Sequence, residues 1–89
     1  MAKVLIPPPY RGPTSGTAEL LVEARTVRES LEAVERKFPG FLPQVLDAEG
    51  RLHRFVKLFV NGEPVDARKL DQTLGSTDAL EIVAAIAGG

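Results

Sequence analysis

Residues 26–40, TVRESLEAVERKFPG, are the best-specified element of the sequence. The stretch opens with the pattern of a capping box, in which the hydroxyl of Thr26 accepts a hydrogen bond from the amide of Glu29 and the Glu29 carboxylate reaches back. Apolar residues then recur every three or four positions, which is the spacing of one helical face. They are Val27, Leu31, Val34 and Phe38. Pro39 and Gly40 end the pattern, so the stretch predicts one amphipathic helix.

Strand patterns lie on both sides of this helix. Apolar residues in alternation predict four longer strands, at residues 1–6, 17–24, 52–60 and 80–86. Asn61-Gly62 predicts a tight turn, and the proline in residues 63–65 confines a short strand to the sheet edge. The order of elements predicts an α+β domain with the helix across one sheet face. Seven residues can supply that face: Val4, Ile6, Val56, Leu58, Val60, Leu80 and Ile82.

The sequence also predicts which side chains of the helix and the sheet face solvent. Glu32 and Glu35 lie on the charged side of the helix, where we expect solvated side chains and no acid–base pair. The second sheet face should show Phe55, Phe59, Glu81 and Val83.

Composition limits the classes of function. The 89 residues form one domain, and an apolar fraction of 44% favours a globular fold over disorder. A net charge of −1 with both signs scattered argues against a nucleic-acid partner. Without cysteine, and with a single histidine, the chain cannot form a disulfide scaffold or a thiolate or histidine metal cluster. No signal peptide or membrane-spanning run is recognisable, so we expect a cytoplasmic protein with no metal or cofactor of its own.

Several short motifs, taken in order, resemble the ubiquitin-like sulfur-carrier family, whose bacterial members serve molybdopterin, thiamine-thiazole and cysteine synthesis. They are Val4-Leu5-Ile6-Pro7, the helix opening at residues 26–31, Leu52-His53-Arg54-Phe55-Val56, Val60-Asn61-Gly62 and the terminal Ala87-Gly88-Gly89. The motif at residues 52–56 looks most like the carrier that feeds a cysteine synthase. Gly75-Ser76-Thr77-Asp78 and Ala84-Ala85 depart from the pattern of many members, so the branch of the family stays open.

The resemblance implies a ubiquitin-like β-grasp fold, with a mixed sheet of four to five strands and one main helix packed on one face. The β-grasp domain is expected at residues 1–83, followed by a flexible, extended diglycine tail at residues 84–89. In this family the terminal carboxylate is the working group, here that of Gly89. An ATP-dependent adenylating enzyme, similar to those that activate ubiquitin, adenylates it, and sulfur from a donor converts it to a thiocarboxylate. That group then donates sulfur to an acceptor inside a cysteine, thiazole, molybdopterin or secondary-metabolite synthase.

By the same resemblance the chain is a protein co-substrate and not an enzyme, with no catalytic residues; ATP is used by the activating enzyme. Gly88, Ala87 and Ile86 are expected to thread the partner's active site, because no side chain after Ile86 is larger than a methyl group. Six residues from position 84 reach about 20 Å when extended.

The open sheet face is expected to dock these partners through four residues: Phe59, Val83, Phe55 and Lys57. The sequence leaves two other functions open. A ubiquitin-like modifier would join Gly89 to lysines of other proteins, and a plain β-grasp interaction module would make no use of its tail.

Overall fold

The computed structural model describes residues 1–84 of the 89. Its elements in chain order are β1 Ala2–Leu5, a 3₁₀ helix Pro8–Tyr10, β2 Glu19–Val22, α1 Val27–Lys37, α2 Leu42–Val45, β3 Val56–Val60, β4 Glu63–Pro64 and β5 Ala79–Ala84. The strands form one sheet in the order β2-β1-β5-β3-β4. β1 and β5 are parallel and the other neighbours antiparallel. The predicted α+β class, with a mixed sheet and one main helix, is confirmed.

The cap of α1 forms as the sequence predicts. The hydroxyl of Thr26 accepts a hydrogen bond from the Glu29 amide at 3.1 Å. The Glu29 carboxylate accepts one from the backbone N–H of Arg25 at 3.0 Å, one residue before the cap. The reciprocal arrangement satisfies one of the free amides of the first helical turn and fixes where the helix begins.

One continuous core lies between α1 and the inner face of the sheet. Val27, Leu31 and Val34 of the helix are fully buried. The predicted inner sheet face is confirmed, since its members are buried except Val60, which is partly buried. Leu70 and Leu74 anchor the long segment between β4 and β5 into the same core. Burial of each such side chain contributes about 1.5–3 kcal/mol.

The prediction of a strand over residues 52–60 is wrong in its first half. β3 begins at Val56, while residues 54 and 55 form a turn closed by a hydrogen bond from Val56 N–H to the carbonyl of His53 at 3.0 Å. Leu52 pairs instead with Leu46, and His53 N–H donates to Val45. These contacts join the segment to α2.

Glu35 also differs from the expectation of a solvated helix face, whereas Glu32 is exposed as expected. The Glu35 carboxylate accepts hydrogen bonds from the backbone N–H groups of Gly40 and Leu42, the latter at 2.8 Å. It thereby supplies an acceptor to the first amide of α2, which has no side-chain cap of its own. Glu35 is a structural link between the two helices.

Candidate functional site

The strand that leads to the predicted working terminus is β5, in the middle of the sheet. Its pairing with β1 ends at Glu81, opposite Leu5, whereas its pairing with β3 continues to Ala84, opposite Val56. In this parallel ladder the next donor from β1 would come from residue 7, and proline has no N–H group. The last three residues of β5 therefore pair on the β3 side alone, and the strand extends beyond its neighbour at this end of the sheet.

The other end of β5 is held by a small polar network. Asn61, at φ 51°, donates from its side-chain amide to Asp78 at 2.8 Å and accepts from Ala79 N–H at 2.9 Å. The Asp78 carboxylate also accepts from Gly75 N–H at 2.7 Å. These hydrogen bonds, first that from Gly75 and then that from Asn61, lower the pKa of Asp78 from its usual value. The network fixes the start of the strand that carries the terminus.

The predicted tail falls almost wholly outside the described residues. Ala84, which we assigned to the tail, is the last residue of β5. Ile86, Ala87, Gly88 and Gly89 lie within residues 85–89, which the structure does not describe. The roles assigned to them, and the domain boundary between residues 83 and 84, stay predictions.

Three of the four predicted docking residues, Lys57, Phe59 and Val83, lie on the outer sheet face. Lys57 lies opposite Val83 and Phe59 opposite Glu81 in the β3–β5 register. Phe59 and Val83 are partly buried, and Lys57 is exposed. Phe55 is 42% exposed, but it lies in the turn before β3 instead of on the strand. The Arg54 guanidinium lies 5.0 Å from the centre of its ring, a cation–π distance. The docking role of these residues stays a prediction.

Two residues elsewhere on the domain were missed by the sequence reasoning. Leu21 of β2 points to the outer face and is 59% exposed, which its position between the inward-facing Leu20 and Val22 could have shown. Arg11 donates to the carbonyl of Ile6 at 2.8 Å and lines a shallow depression of about 310 Å³ with Ile82 of β5. No local sequence pattern indicates that contact, because it depends on how the loop after β1 folds back.

The single histidine, His53, lies beside α2, where its side chain contacts the backbone. His53 Nε2 is 2.9 Å from the carbonyl oxygen of Pro43. It lines an open, largely apolar hollow of about 590 Å³ beside α2 with Glu35, Leu42 and Leu46 among others. Among residues 1–84 there is no cluster of three or more histidine, cysteine or acidic residues that could hold a metal ion. Within that same part of the chain, no helix has the length and apolar character needed to cross a membrane.

The comparisons with known proteins agree with this architecture. Residues 9–89 match the model of the ThiS family. The sulfur carrier protein CysO of Mycobacterium tuberculosis is 30% identical over 89 residues, covering 97% of this chain and 96% of that protein.

Two solved structures are similar over nearly their full length. A chain of the crystal structure of the Amycolatopsis orientalis BexX/CysO complex is 33% identical, with a TM-score of 0.88 and coverage of 100% of both chains. The crystal structure of Mycobacterium tuberculosis CysO is 27% identical, with a TM-score of 0.86, covering 97% of this chain and 100% of that one.

Proposed function

The chain belongs to the ThiS family of ubiquitin-like sulfur carriers, and from that premise we propose that the carboxylate of Gly89 carries the sulfur. An ATP-dependent adenylating enzyme joins the carboxylate to AMP and releases pyrophosphate. Hydrosulfide, released by a sulfur donor, then attacks the carbonyl carbon, expels AMP and loses its proton, so that a C–S bond replaces the bond to the AMP oxygen without any change in oxidation state. The product is a terminal thiocarboxylate.

The family match, which extends over the terminal diglycine, is the observation that carries this proposal. The geometry of β5 supports it. A central strand held at its start by Asn61 and Asp78 extends beyond its pairing with β1, which leaves Ala84 paired with β3 alone. The five residues that follow Ala84 would reach about 17 Å when extended, enough to enter a partner's active site.

The partners would dock on the outer face of β3 and β5. Phe59 and Val83 offer an apolar patch next to the exposed cation of Lys57, with Phe55 at its border. The CysO-containing relative was crystallised in a complex with BexX, which supports a partner protein for this chain. We propose the adenylating enzyme, a sulfur donor and an acceptor synthase as partners, with ATP bound by the enzyme and not by the carrier.

The acceptor is proposed to be a biosynthetic synthase of the cysteine, thiazole, molybdopterin or secondary-metabolite type. The curated relatives that match are all named sulfur carrier protein CysO, which supports the cysteine type first. Incubation of the loaded carrier with each type of synthase, followed by detection of the sulfur-containing product, distinguishes them. If a fully loaded carrier gave no product with any of the four types of synthase, this class of acceptor would be wrong.

Deletion of Gly88 and Gly89 tests whether the tail is the working part. The shortened chain should fold with an unchanged circular dichroism spectrum and unfolding midpoint, yet support no sulfur transfer. Gly88→Phe should also block sulfur transfer, because a bulky side chain would not fit a narrow tunnel in the partner's active site. Gly88→Ala is the matched control and should retain more of the sulfur-transfer activity. Full activity of the shortened chain would instead identify a binding module with an idle tail.

A modifier function would give a different product from the same activated terminus. Conjugation to lysines would produce larger species, resistant to denaturant, that contain the chain. Such a ladder in cells, without any thiocarboxylate form, would contradict the carrier proposal and favour the modifier.

A further inference from the structure

β2 forms an open edge of the sheet, two strands from β5 and three from β3, which hold the predicted docking residues Val83 and Phe59. It pairs with β1 alone within residues 1–84. Ile6 N–H donates to Ala18 at 2.7 Å, and the register places Val4 opposite Leu20 and Ala2 opposite Val22. Because hydrogen-bonded and non-hydrogen-bonded pairs alternate in an antiparallel ladder, the backbone groups of Glu19 and Leu21 point away from β1.

The opposite edge of the sheet is protected, and this contrast makes β2 distinctive. β4 is two residues long and contains Pro64. Short length and proline are two of the devices that prevent further strands from adding to an edge. β2, with sequence ELLV, has neither proline nor an inward-pointing charge, and its own Leu21 is 59% exposed. The β2 edge is therefore able to accept another strand.

The side chains along this edge indicate what kind of strand fits. Val22 is buried and Leu20 partly buried, so alternation places Glu19, Leu21 and Glu23 on the outer face. Two exposed carboxylates therefore flank one exposed apolar residue. The nearest cation on β1 is Lys3, directly opposite Leu21, which disfavours a basic partner residue at the centre.

We propose that the β2 edge binds an extended segment of a partner protein by strand addition. On one face of that segment, two basic residues flank an apolar residue. Main-chain hydrogen bonds to Glu19 and Leu21 hold the segment, as in other cases of strand addition. Its basic residues lie across from the two carboxylates and its apolar residue across from Leu21. Because β1 lies between β2 and β5, a segment bound at this edge leaves Phe59 and Val83 free for other partners.

A second copy of the chain fits this edge poorly. Two β2 strands paired antiparallel about Leu21 would place Glu19 of one copy opposite Glu23 of the other, twice over. Directly opposed like charges destabilise a strand pair, so the charge pattern favours a partner of opposite sign.

The probe is a nine-residue peptide with blocked ends, in which two lysines flank an isoleucine at alternate positions and the other residues are threonine and valine. Titration into the ¹⁵N-labelled full chain, followed by amide chemical shifts, should give saturable changes at Glu19 and Leu21. Substitution of both Glu19→Lys and Glu23→Lys should weaken binding about tenfold or more, since two favourable pairs become repulsive. Glu49→Lys with Glu63→Lys makes the same change in net charge at exposed sites elsewhere and should bind like the wild type.

The backbone contribution is tested separately. Leu21→Pro removes an N–H group that points away from β1, so the domain should fold while binding is lost. A peptide N-methylated at the amides that face β2 gives the same test without altering the protein, and it should not bind. The Leu21→Pro chain should still be loaded with sulfur, so a failure of peptide binding can be distinguished from a failure of the tail chemistry.

Three results would overturn the proposal. They are the absence of saturable binding, equal binding of the N-methylated peptide, or shift changes confined to β3 and β5. Concentration-dependent shifts at Glu19 and Leu21 without peptide would show that a second copy occupies the edge instead.

Discussion

Substitution of Asn61 tests how the start of β5 is held. Asn61→Ala removes two side-chain hydrogen bonds, to Asp78 at 2.8 Å and from Ala79 at 2.9 Å. Because these groups are exposed, each loss should cost about 0.5–1 kcal/mol, the lower part of the usual range. Alanine must also adopt the left-handed φ of 51°, which adds about 1 kcal/mol. The expected fall in the free energy of unfolding is therefore about 2–3 kcal/mol.

Asn61→Gly is the matched control, because glycine accepts a positive φ without strain and lacks the side-chain hydrogen bonds. It should be about 1 kcal/mol more stable than the alanine variant and still less stable than the wild type. Urea unfolding followed by circular dichroism measures all three, with the slope of the transition checked for constancy. If both variants stayed within about 0.5 kcal/mol of the wild type, the surface range for ordinary substitutions, the network would not hold β5.

Three further predictions follow from single side chains. Leu31→Ala, at a fully buried position, should lower the free energy of unfolding in urea by about 3–4 kcal/mol through lost burial and a residual cavity. A loss under about 1 kcal/mol would show that Leu31 does not pack in the core. The hydrogen bonds that lower the pKa of Asp78 favour its ionised form in the folded state, so the stability they give is present at neutral pH. It is lost on acidification, as pH falls from the unfolded pKa near 3.9 through the lower folded pKa. An acid series of urea titrations should show that loss, smaller in Asp78→Asn; equal acid sensitivity of both chains would assign the loss to other groups. Phe59→Asp should slow sulfur loading about tenfold or more, as loss of a central interface residue does, with native circular dichroism retained; unchanged loading would move the docking site off this face.

Local patterns predicted the elements that rest on neighbouring residues. The Thr26 cap, the stripe through Leu31 and the Asn61-Gly62 turn all depend on contacts within a few positions, and all three form. The inner sheet face was also predictable, because Val56 and Leu58 alternate with residues that face outward. The same alternation placed Lys57, Phe59 and Val83 on the outer face, but it wrongly placed Phe55 on the strand.

Contacts between distant segments could not be predicted this way. Residues 52–55 have strand-like composition, but His53 and Leu52 bond to α2 and draw the chain into a turn. Glu35 has the spacing of a solvated helix position, yet its carboxylate holds the amide of Leu42 in the next element. In both cases a partner supplied by the fold decides the conformation. The identity of the sulfur acceptor likewise depends on other proteins.

Measurement of the intact mass after incubation with the adenylating enzyme, ATP and a sulfur donor shows whether the chain is converted to the thiocarboxylate. The chain should gain the mass difference between sulfur and oxygen, and fragmentation should place that change on the terminal Gly89. The chain lacking Gly88 and Gly89 should stay unchanged in the same mixture. An unaltered mass in the presence of an enzyme that loads its own carrier, or a mass change elsewhere in the chain, would show that Gly89 does not carry the sulfur.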